Sequence, residues 1–417
     1  MSKVIFHDLS IQRGLDMLIL ILFIGLLPID TINGFLLHNN VPLPISVAQI
    51  YKSLLLISLV FKIAFRPRYL LYTFFIFCFL FLPSIYQVFR HGQINHLFPD
   101  IIKISRYLTI ILSFYFFTNY FQNHRGEKII FQFVYISYAV VVVNILVKYI
   151  GLGYPMYNYG NIGSRGFFFA GNEISVLLLI LSAIIGKRLW IQNKRFLYFA
   201  IGLLTVFTAL TISSKASMVG AIIILLMVPI KRPSISAINF KAVFRYSLSI
   251  LIFTPLIVMA SWKFVKNSKV YERFVHFYDK LDLLSFIYSN RNVFFFEYIE
   301  IYKEKYNFLE KFIGVGQTAY EDLSNMQTVE IDIIDILFAQ GVFGVIIFIS
   351  LIAFVLLQSL KLSFFNSYNY ANFTLFMCLL LFAISNFSGH TFNSGMAGPF
   401  IGLTFALMYI NQSPTKD

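Results

Sequence analysis

Long apolar runs separated by short polar segments make up most of the chain. A helix of about 20 apolar residues crosses the ~30 Å hydrocarbon core of a bilayer, so runs of this kind predict membrane-spanning helices. The pattern predicts an all-α, polytopic membrane protein with about twelve spans in a single transmembrane domain over residues 1–417. The predicted spans are 14–36, 42–64, 69–89, 98–119, 128–150, 171–189, 196–212, 215–230, 246–265, 331–357, 369–387 and 395–411.

Composition supports the same class of protein. Apolar residues make up 58% of the chain and charged residues 12%, about half of the usual share of roughly 25%. A soluble protein of this length needs a charged surface, which excludes a cytosolic globular enzyme and a disordered chain. The short alternating strands of an outer-membrane barrel are not the pattern seen. The first apolar run has no small-residue cleavage site, so we expect no cleavable signal peptide.

The net charge of +14 is explained by topology rather than by nucleic acid. Cytoplasmic loops of membrane proteins carry an excess of Lys and Arg. With the N-terminus inside, seventeen basic residues fall on the cytoplasmic side, and only Arg90, Arg165 and Lys215 fall in the short outer loops. We therefore predict that both termini are cytoplasmic and that no nucleic acid is bound.

Two longer polar segments interrupt the pattern on the predicted outer face. Residues 151–171 are rich in Gly, Asn and Tyr, and residues 266–330 hold ten of the nineteen acidic residues. Apolar residues within the second segment are spaced for one face of a helix over 292–312. We expect 266–330 to form a large, partly helical loop over the bundle. The residues of the predicted apolar face are Phe295, Ile299, Tyr302, Tyr306 and Leu309.

Charged residues inside a predicted span are candidates for function, because each costs roughly 2.5–3.5 kcal/mol at the centre of a membrane helix. Lys103 and Arg106 lie three residues apart in the fourth span and share a face near its outer end. Asp100 lies on the same face, so an ion pair with Lys103 that fixes helix packing is one interpretation. A cationic pocket for a phosphate-bearing lipid head group is the other.

Three further cations lie in or beside the outer loops. Arg165 stands in a Ser-Arg-Gly stretch, Lys215 in Thr-Ile-Ser-Ser-Lys-Ala-Ser, and Arg291 before the predicted loop helix. Guanidinium groups bind phosphate in a bidentate manner, and glycines let the backbone approach a ligand. A solvated loop arginine and a snorkelling lysine are the alternatives for Arg165 and Lys215.

Three carboxylates open the tenth predicted span. Asp332 and Asp335 share a helix face, and Glu330 lies within a turn of them. Acids at a helix N-terminus suit the helix dipole, but three are more than a cap requires. Glu330 or Asp332 is therefore a candidate base or an anchor for sugar hydroxyls. His390, in the last outer loop, is a further candidate, with a structural loop histidine as the alternative.

No pattern in the sequence indicates a metal or a cofactor. Cys78 and Cys378 both fall in apolar runs, with no CxxC pair and no disulfide framework. A Walker A sequence, a GxSxG elbow and a GxGxxG stretch between a strand and a helix are also missing. We expect neither a metal nor a cofactor.

Taken together, these segments resemble the O-antigen ligase/polymerase superfamily, and within it the repeat-unit polymerases of bacterial O-antigen and capsule (Wzy-type). The shared order is an outer loop with Arg before a Gly-Asn helix start, TISSKAS, a large late outer loop with Arg, GVG, and VEIDIIDILFAQGVFGVIIF. The resemblance covers about residues 150–350 and the number of helices. Lys215 stands where many members have Arg, which keeps the charge but loses the bidentate fork.

The resemblance implies a membrane glycosyltransferase with a GT-C-like fold. Such an enzyme polymerises undecaprenyl-pyrophosphate-linked oligosaccharides into O-antigen of lipopolysaccharide or into capsule, on the outer face of the bacterial inner membrane and without a metal. The implied partners are the donor and acceptor lipid-linked oligosaccharides, membrane lipid and a chain-length regulator protein.

The resemblance also implies roles for the candidate residues. Arg165, Lys215 and Arg291 would contact pyrophosphate, and Lys103 and Arg106 would assist them or hold the second carrier. Glu330 or Asp332 would act as the base or anchor the acceptor. Asp335 and His390 would complete the substrate site.

Two other functions fit parts of the sequence. An O-antigen ligase uses similar chemistry, but the His-Asn pair usual in ligases is missing here. A flippase or other transporter of lipid-linked oligosaccharides has a similar number of helices. Transporters usually have two similar halves and polar sites at the midplane. Here only the second half carries the long outer segment, and the charges collect at one surface.

Overall fold

The computed structural model is built of helices. No β-strand occurs among the described residues, and two isolated antiparallel bridges, Tyr154 with Gly166 and Tyr157 with Ile162, close the loop after the fifth helix. The described residues are 2–41, 45–123, 127–157, 159–229, 271, 275, 281–324, 327–365, 370–387 and 389–410.

Fifteen α-helices are defined within these ranges. They are α1 (Ser2–His38), α2 (Val47–Ala64), α3 (Pro67–His91), α4 (Leu97–Asn123), α5 (Glu127–Leu146), α6 (Asn172–Ile191), α7 (Arg195–Ile212), α8 (Lys215–Met227), α9 (Leu283–Tyr288), α10 (Arg291–Lys305), α11 (Phe308–Ile313), α12 (Gln317–Leu323), α13 (Asp332–Phe365), α14 (Ala371–Phe387) and α15 (Gly398–Ala406).

Eight of the helical segments in the described ranges are long and apolar enough to cross a membrane, and they correspond to α1 to α7 and to α13. Three shorter apolar segments, Lys215–Met227, Ala371–Phe387 and Gly398–Tyr409, correspond to other predicted spans. The predicted span 246–265 lies outside the described residues. The all-helical fold is therefore confirmed, and the count of twelve spans stays a prediction.

Burial in α3 is arranged as expected for a helix in lipid. The polar side chains of Thr73, Ser84 and Gln87 are buried inside the bundle. Phe75 and Phe79 of the same helix are exposed on the outside. A soluble helix would show the reverse arrangement. By contrast, α6 is buried along nearly its whole length and forms the centre of the bundle. The chain is thus a multi-pass membrane protein.

A bend divides α13 into two parts. Gly341 has φ 64° and ψ −169°, which is not helical, and only glycine adopts such a conformation readily. Residues 332–340 therefore form a short helix at one end of the bundle, and the long straight part begins after Gly341. The sequence pattern predicted that the three acids open a single uninterrupted span. Instead, the bend at Gly341 separates them from the long straight part of α13.

The prediction of one continuous helix over 292–312 is wrong, because the segment forms two helices. α10 ends at Lys305, and α11 begins after Asn307. Asn307 and Glu310 form a reciprocal capping box, in which each side chain accepts a hydrogen bond from the other residue's backbone N–H. Tyr306 is buried as expected, but Leu309 is exposed because the break turns α11 away from the face of α10.

The C-terminal ends of α1, α3, α5, α7 and α14 lie at one end of the bundle. We call it the outer end, after the predicted topology. Hydrogen bonds tie the loops at this end together. Asn39 Nδ2 donates to Tyr154 Oη at 3.2 Å, and Ser164 Oγ donates to the carbonyl oxygen of Ile145 at 2.9 Å. The outer end therefore holds the residues that the sequence analysis singled out.

Candidate functional site

Arg291, Glu330 and His390 meet at the outer end and are called the outer cluster. Arg291 Nη2 lies 2.6 Å from Glu330 Oε2, and His390 Nε2 lies 3.7 Å from Glu330 Oε1. The Glu330 side chain remains 40% exposed, whereas that of Arg291 is nearly buried. Three residues that are far apart in sequence thus form one accessible group with one acid and two basic side chains.

The backbone at the outer cluster is in an uncommon conformation. Glu330 and His390 have φ angles of 59° and 52°, in the left-handed region that residues other than glycine rarely adopt. Gly389, with φ 65°, lies directly against the carbonyl group of Glu330. Strain of this kind persists where surrounding contacts impose it, and it is frequent at functional sites.

Asp332 holds the turn that carries His390. Its Oδ2 accepts hydrogen bonds from the backbone N–H groups of Thr391 and Phe392, at 3.0 and 2.8 Å. Asp332 is buried beneath the turn, away from solvent. Asp332 is therefore a positioning residue: by binding the backbone of this turn, it holds His390 in the outer cluster.

The outer cluster is ionised at neutral pH. Burial raises the pKa of Glu330, but the contacts and charges of His390 and Arg291 outweigh it and lower that pKa to about 2. Burial lowers the pKa of His390, but its contact with Glu330 and the charges of Asp332, Glu330 and Asp335 raise it to about 9. Two positive groups and one negative group therefore meet at the outer end.

Asp335 lies deeper than Glu330 and is fully engaged. Its Oδ1 accepts hydrogen bonds from Tyr320 Oη at 2.7 Å and from the N–H of Val329 at 3.1 Å. These contacts join α12 and the segment before α13. Of the three acids predicted as candidates, only Glu330 is accessible to a ligand from the outer surface.

Lys215 lies beside the outer cluster, and Arg165 does not. Lys215 Nζ donates to the carbonyl oxygen of Phe286 and lies 3.2 Å from Ser289 Oγ, next to the residues that lead into Arg291. Arg165 Nη1 donates to the carbonyl oxygen of Phe169 at 2.9 Å, within its own loop. Within the described ranges, no hydrogen bond or ion pair connects Arg165 with Arg291 or Glu330.

A second group of charges fixes the outer loop to α3 and α4, and we call it the loop anchor: Asp100, Lys103 and Glu310 with their partners. The expected pair of Asp100 with Lys103 is not formed. Asp100 accepts hydrogen bonds from Ser84 Oγ at 2.5 Å and from Thr318 N and Oγ1 at 2.7 and 2.6 Å.

Lys103 and Glu310 complete the loop anchor. Lys103 Nζ pairs with Glu321 Oε2 of α12 at 2.6 Å. Glu310 of α11 pairs with Arg90 of α3 at 2.8 Å. Thr318 and Glu321, the outer-loop partners of Asp100 and Lys103, lie more than 200 positions away in the chain, so local spacing could not reveal them.

Arg106 lies on the other side of the turn that carries His390. Its Nη1 approaches the carbonyl oxygen of Asn393 at 3.5 Å, and no carboxylate among the described residues lies within ion-pair distance of it. Lys52 Nζ and Arg106 Nε lie 3.6 and 3.8 Å from the position that a Cβ on Gly395 would take. Lys52 is itself paired with Asp30 at 2.8 Å. Lys52, visible in the sequence as a charge inside the second span, thus joins Arg106 in a second cationic area.

Glu173 connects that area to α6. Its Oε2 accepts hydrogen bonds from Ser394 Oγ and, at 3.1 Å, from the N–H of Met396. Glu173 lies in the first turn of α6, where an acid suits the helix dipole, but its hydrogen-bond partners are in the last outer loop. Together Asp332 and Glu173 hold both ends of the 390–396 turn.

An apolar cavity of about 370 Å³ lies between α3, α4 and α13, and we call it the lateral groove. At its edge, Ile346 and Ser350 are exposed on the outside of α13. At its outer end it is lined by Phe392, whose backbone N–H is bound by Asp332. The groove therefore leads from the membrane-facing surface to the turn that carries His390. Its lining includes Leu80, Tyr107, Ile110, Gln340, Gly344 and Leu351.

Buried polar atoms around this turn have spare hydrogen-bonding capacity. Asp332 Oδ1, Thr391 Oγ1, Asn393 Oδ1 and Gln340 Oε1 have no hydrogen-bond partner in the part of the chain that the structure describes. Buried polar groups are normally satisfied, so water or a polar ligand is expected there. Within the same part of the chain, no three His, Cys, Asp or Glu side chains form a group that could hold a metal ion.

Comparisons with known proteins do not assign a family. No family model matches the chain, and searches of curated proteins and of solved structures found no significant match. The resemblance to the polysaccharide polymerases therefore stays a prediction, and the geometry of the outer end has to carry the functional argument.

Proposed function

We propose that this protein is a membrane glycosyltransferase that joins lipid-linked oligosaccharide units on the outer side of the membrane. The observation that carries the proposal is the position of the outer cluster. It combines two cations and an accessible carboxylate, and His390 lies two residues before Phe392, which lines an apolar groove with exposed residues of α13 at its edge. A prenyl pyrophosphate that carries a sugar is complementary to these features: its long apolar tail fits the groove, its negative charges fit the cations, and its sugar fits the carboxylate.

The cations match the leaving group of such a reaction. When the bond between the sugar C1 and the phosphate oxygen breaks, negative charge develops on the pyrophosphate. Arg291 and protonated His390 are placed to stabilise it, with Lys215 at the edge. Donors that are already oriented, in a site with little water, provide most of the stabilisation in reactions of this type.

Glu330 is our candidate for the base. The new bond forms between the sugar C1 and an acceptor hydroxyl oxygen, and the hydroxyl proton passes to the carboxylate. In the free protein His390 and Arg291 keep the pKa of Glu330 low, which makes it a weak base. A pyrophosphate that binds His390 and Arg291 weakens their ion pairs with Glu330, so the pKa of Glu330 rises when the donor is in place. The ion pair would thus link donor binding to base strength.

Arg106 is our candidate for binding the second carrier head group, whereas Lys52 beside it is already paired with Asp30. A partly buried guanidinium without a carboxylate partner is costly, and an anionic ligand would offset that cost. Lys103 is not included, since Glu321 already neutralises it. We expect Arg165 to contact glycan at the periphery rather than pyrophosphate, since it lies in a separate loop.

Reconstitution tests the proposal. The purified protein in vesicles, supplied with lipid-linked repeat units, should produce a ladder of longer glycans and release one prenyl pyrophosphate per bond formed. Glu330→Gln should slow elongation about 100-fold, the usual size of a general-base effect. Glu304→Gln, at an exposed acid of α10, serves as the matched control and should elongate at the wild-type rate. Units that remain single with wild-type protein, or wild-type elongation by Glu330→Gln, would contradict the proposal.

A further inference from the structure

We propose that α11 is inserted into the outer leaflet of the bilayer and that phospholipid covers its apolar face. The proposal concerns this surface of the outer loop and does not depend on which substrate the outer cluster takes.

The depth of α11 follows from its contact with α13. After the bend at Gly341, α13 continues to Phe365, about 24 residues and ~36 Å, which is enough to cross the hydrocarbon core. The bend therefore lies at the outer boundary of the membrane. The carbonyl group of Phe312 lies directly against Gly341, and Gly316 N–H donates to the carbonyl oxygen of Ala339 at 2.8 Å. α11 is held at this boundary and not above it.

Contacts with α3 fix which side of α11 faces the protein. Glu310 is buried and accepts hydrogen bonds from Arg90 Nη1 at 2.8 Å and Gln87 Nε2 at 3.0 Å. Asn307 Nδ2 donates to Tyr86 Oη at 3.3 Å. These partners are in the last turns of α3, at the same level as the bend in α13. The polar side of α11 is thus occupied by α3.

The opposite side of α11 is apolar and exposed. Phe308 is 78% exposed, Leu309 46% and Phe312 37%. The rings of Phe308 and Phe312 lie 4.9 Å apart, and that of Phe312 lies 6.2 Å from Phe343, which is itself exposed on α13. The patch is therefore continuous with the membrane-facing side of a span. This continuity identifies lipid as the occupant.

Lys311 supports the same orientation. Its Nζ donates to the carbonyl oxygen of Lys303 at 3.2 Å, in the part of the loop formed by α10. The charged side chain thus points to the loop while the aromatic side chains point the other way. A short segment with charge on one side and Phe and Leu on the other is the arrangement of an interfacial helix.

The position of α11 has a consequence for the lateral groove. α11 bridges the outer ends of α3 and α13, two of the three helices that border the groove. With α11 inserted in the membrane, the lateral groove would be closed on its outer side and open only toward the bilayer. If the proposed function holds, a carrier lipid enters sideways between α3 and α13, beneath α11.

Depth-dependent fluorescence quenching tests the proposal on the full-length protein. In a Trp190→Phe, Trp262→Phe background, single tryptophans are introduced by Phe308→Trp, by Phe79→Trp as a deep control in α3, and by Glu304→Trp as a control in the exposed part of the loop. The protein is reconstituted in vesicles of phosphatidylcholine brominated either near the head group or near the chain end. Phe312→Trp provides a second reporter in case the first variant does not fold.

We expect the tryptophan at 308 to be quenched at least twofold by bromine near the head group and less by bromine near the chain end. Phe79→Trp should show the opposite order, and Glu304→Trp should be quenched by neither lipid. Quenching at 308 and 312 equal to that at 304 would overturn the proposal and show that another part of the protein, a partner or water covers the patch.

Discussion

The outer cluster and the loop anchor use the same kinds of residues at the same end of the bundle, but their environments differ. In the loop anchor, Asp100 accepts three hydrogen bonds within 2.7 Å, and Lys103 is matched by Glu321. In the outer cluster, Glu330 is 40% exposed, and Arg291 Nε has no partner in the described ranges. Asp100 and Lys103 are thus matched by partners within the loop anchor, whereas Arg291 of the outer cluster keeps a buried donor without a partner in the described ranges.

This difference shows that depth and residue type are weak guides to function in a membrane bundle. Lys103 is embedded and charged, as a functional residue would be, yet its interactions are those of a structural ion pair. Spare hydrogen-bonding capacity and access are more informative, because a satisfied buried pair gains nothing from a ligand. Variants of the outer cluster and of the loop anchor should therefore differ in activity and in stability.

The largest difference is expected in activity. Arg291→Ala should reduce glycan elongation by about 10³-fold, the upper range for loss of one oriented donor to a developing anion. Lys103→Ala should reduce it by about threefold or less, because Lys103 does not reach the outer cluster. The rates are measured in reconstituted vesicles, and each variant is checked for monodispersity in detergent. Equal losses in both variants would remove the distinction between the two groups.

The next largest effect is expected on stability. Asp100→Ala leaves Ser84 and Thr318 without their buried acceptor, and we expect the free energy of unfolding to fall by about 3 kcal/mol. Glu330→Gln removes one charge of a partly exposed pair but keeps an oxygen that can accept from Arg291, so the free energy of unfolding should fall by only about 1 kcal/mol. Unfolding titrations in mixed micelles measure both values. A larger loss for Glu330→Gln would assign the structural role to the outer cluster instead.

A smaller effect is expected from a change that removes no charge. A methyl group at Gly389 would collide with the carbonyl group of Glu330, so Gly389→Ala should displace the carboxylate and reduce elongation about 30-fold. Gly92 has a similar φ of 68° but open space around it. Gly92→Ala therefore introduces a backbone strain similar to that of Gly389→Ala but no collision with a neighbouring group. We expect the wild-type rate of elongation from it. Similar activity in both variants would show that the position of Glu330 is not critical.

The smallest effect is a dependence of stability on pH. The pKa of His390 is raised to about 9 in the folded protein, so its contribution to stability is complete below its unfolded pKa of about 6.5 and is lost as pH rises through 9. The pKa of Glu330 is lowered to about 2, so its contribution is present above its ordinary value and is lost only as pH falls through 2. We therefore expect the melting temperature to fall between pH 7 and 10.

His390→Gln provides the control for this dependence. It should flatten the fall in melting temperature between pH 7 and 10, because the titrating imidazole is gone. A slope unchanged by His390→Gln would show that the pairing with Glu330 does not stabilise the fold.

The sequence predicted the elements of this structure better than their contacts. Apolar runs located the helical segments, because lipid demands an apolar surface over the full length of a span. The break at Asn307 was also visible in principle, since Asn307 and Glu310 have the spacing of a capping box. The bend at Gly341 was not visible, because it depends on the packing of Phe312 against that glycine.

Contacts within the candidate site depended on tertiary structure. The grouping of Arg291 with Glu330 and His390 follows from the way the last outer loop returns over α13. The three acids looked equivalent in sequence, yet Asp332 binds a turn, Asp335 binds Tyr320, and Glu330 is exposed. These differences arise from burial and backbone direction, which spacing along the chain does not encode.

In the proposed function, one ligand occupies both the lateral groove and the outer cluster. Photocrosslinking of a prenyl pyrophosphate with a photoreactive group on its tail tests this claim most directly. We predict crosslinks to the groove residues of α3 and α13, between 76–80 and 344–351, and a loss of at least tenfold in Arg291→Ala. Crosslinks spread over other membrane-facing helices, with no change in Arg291→Ala, would contradict the claim.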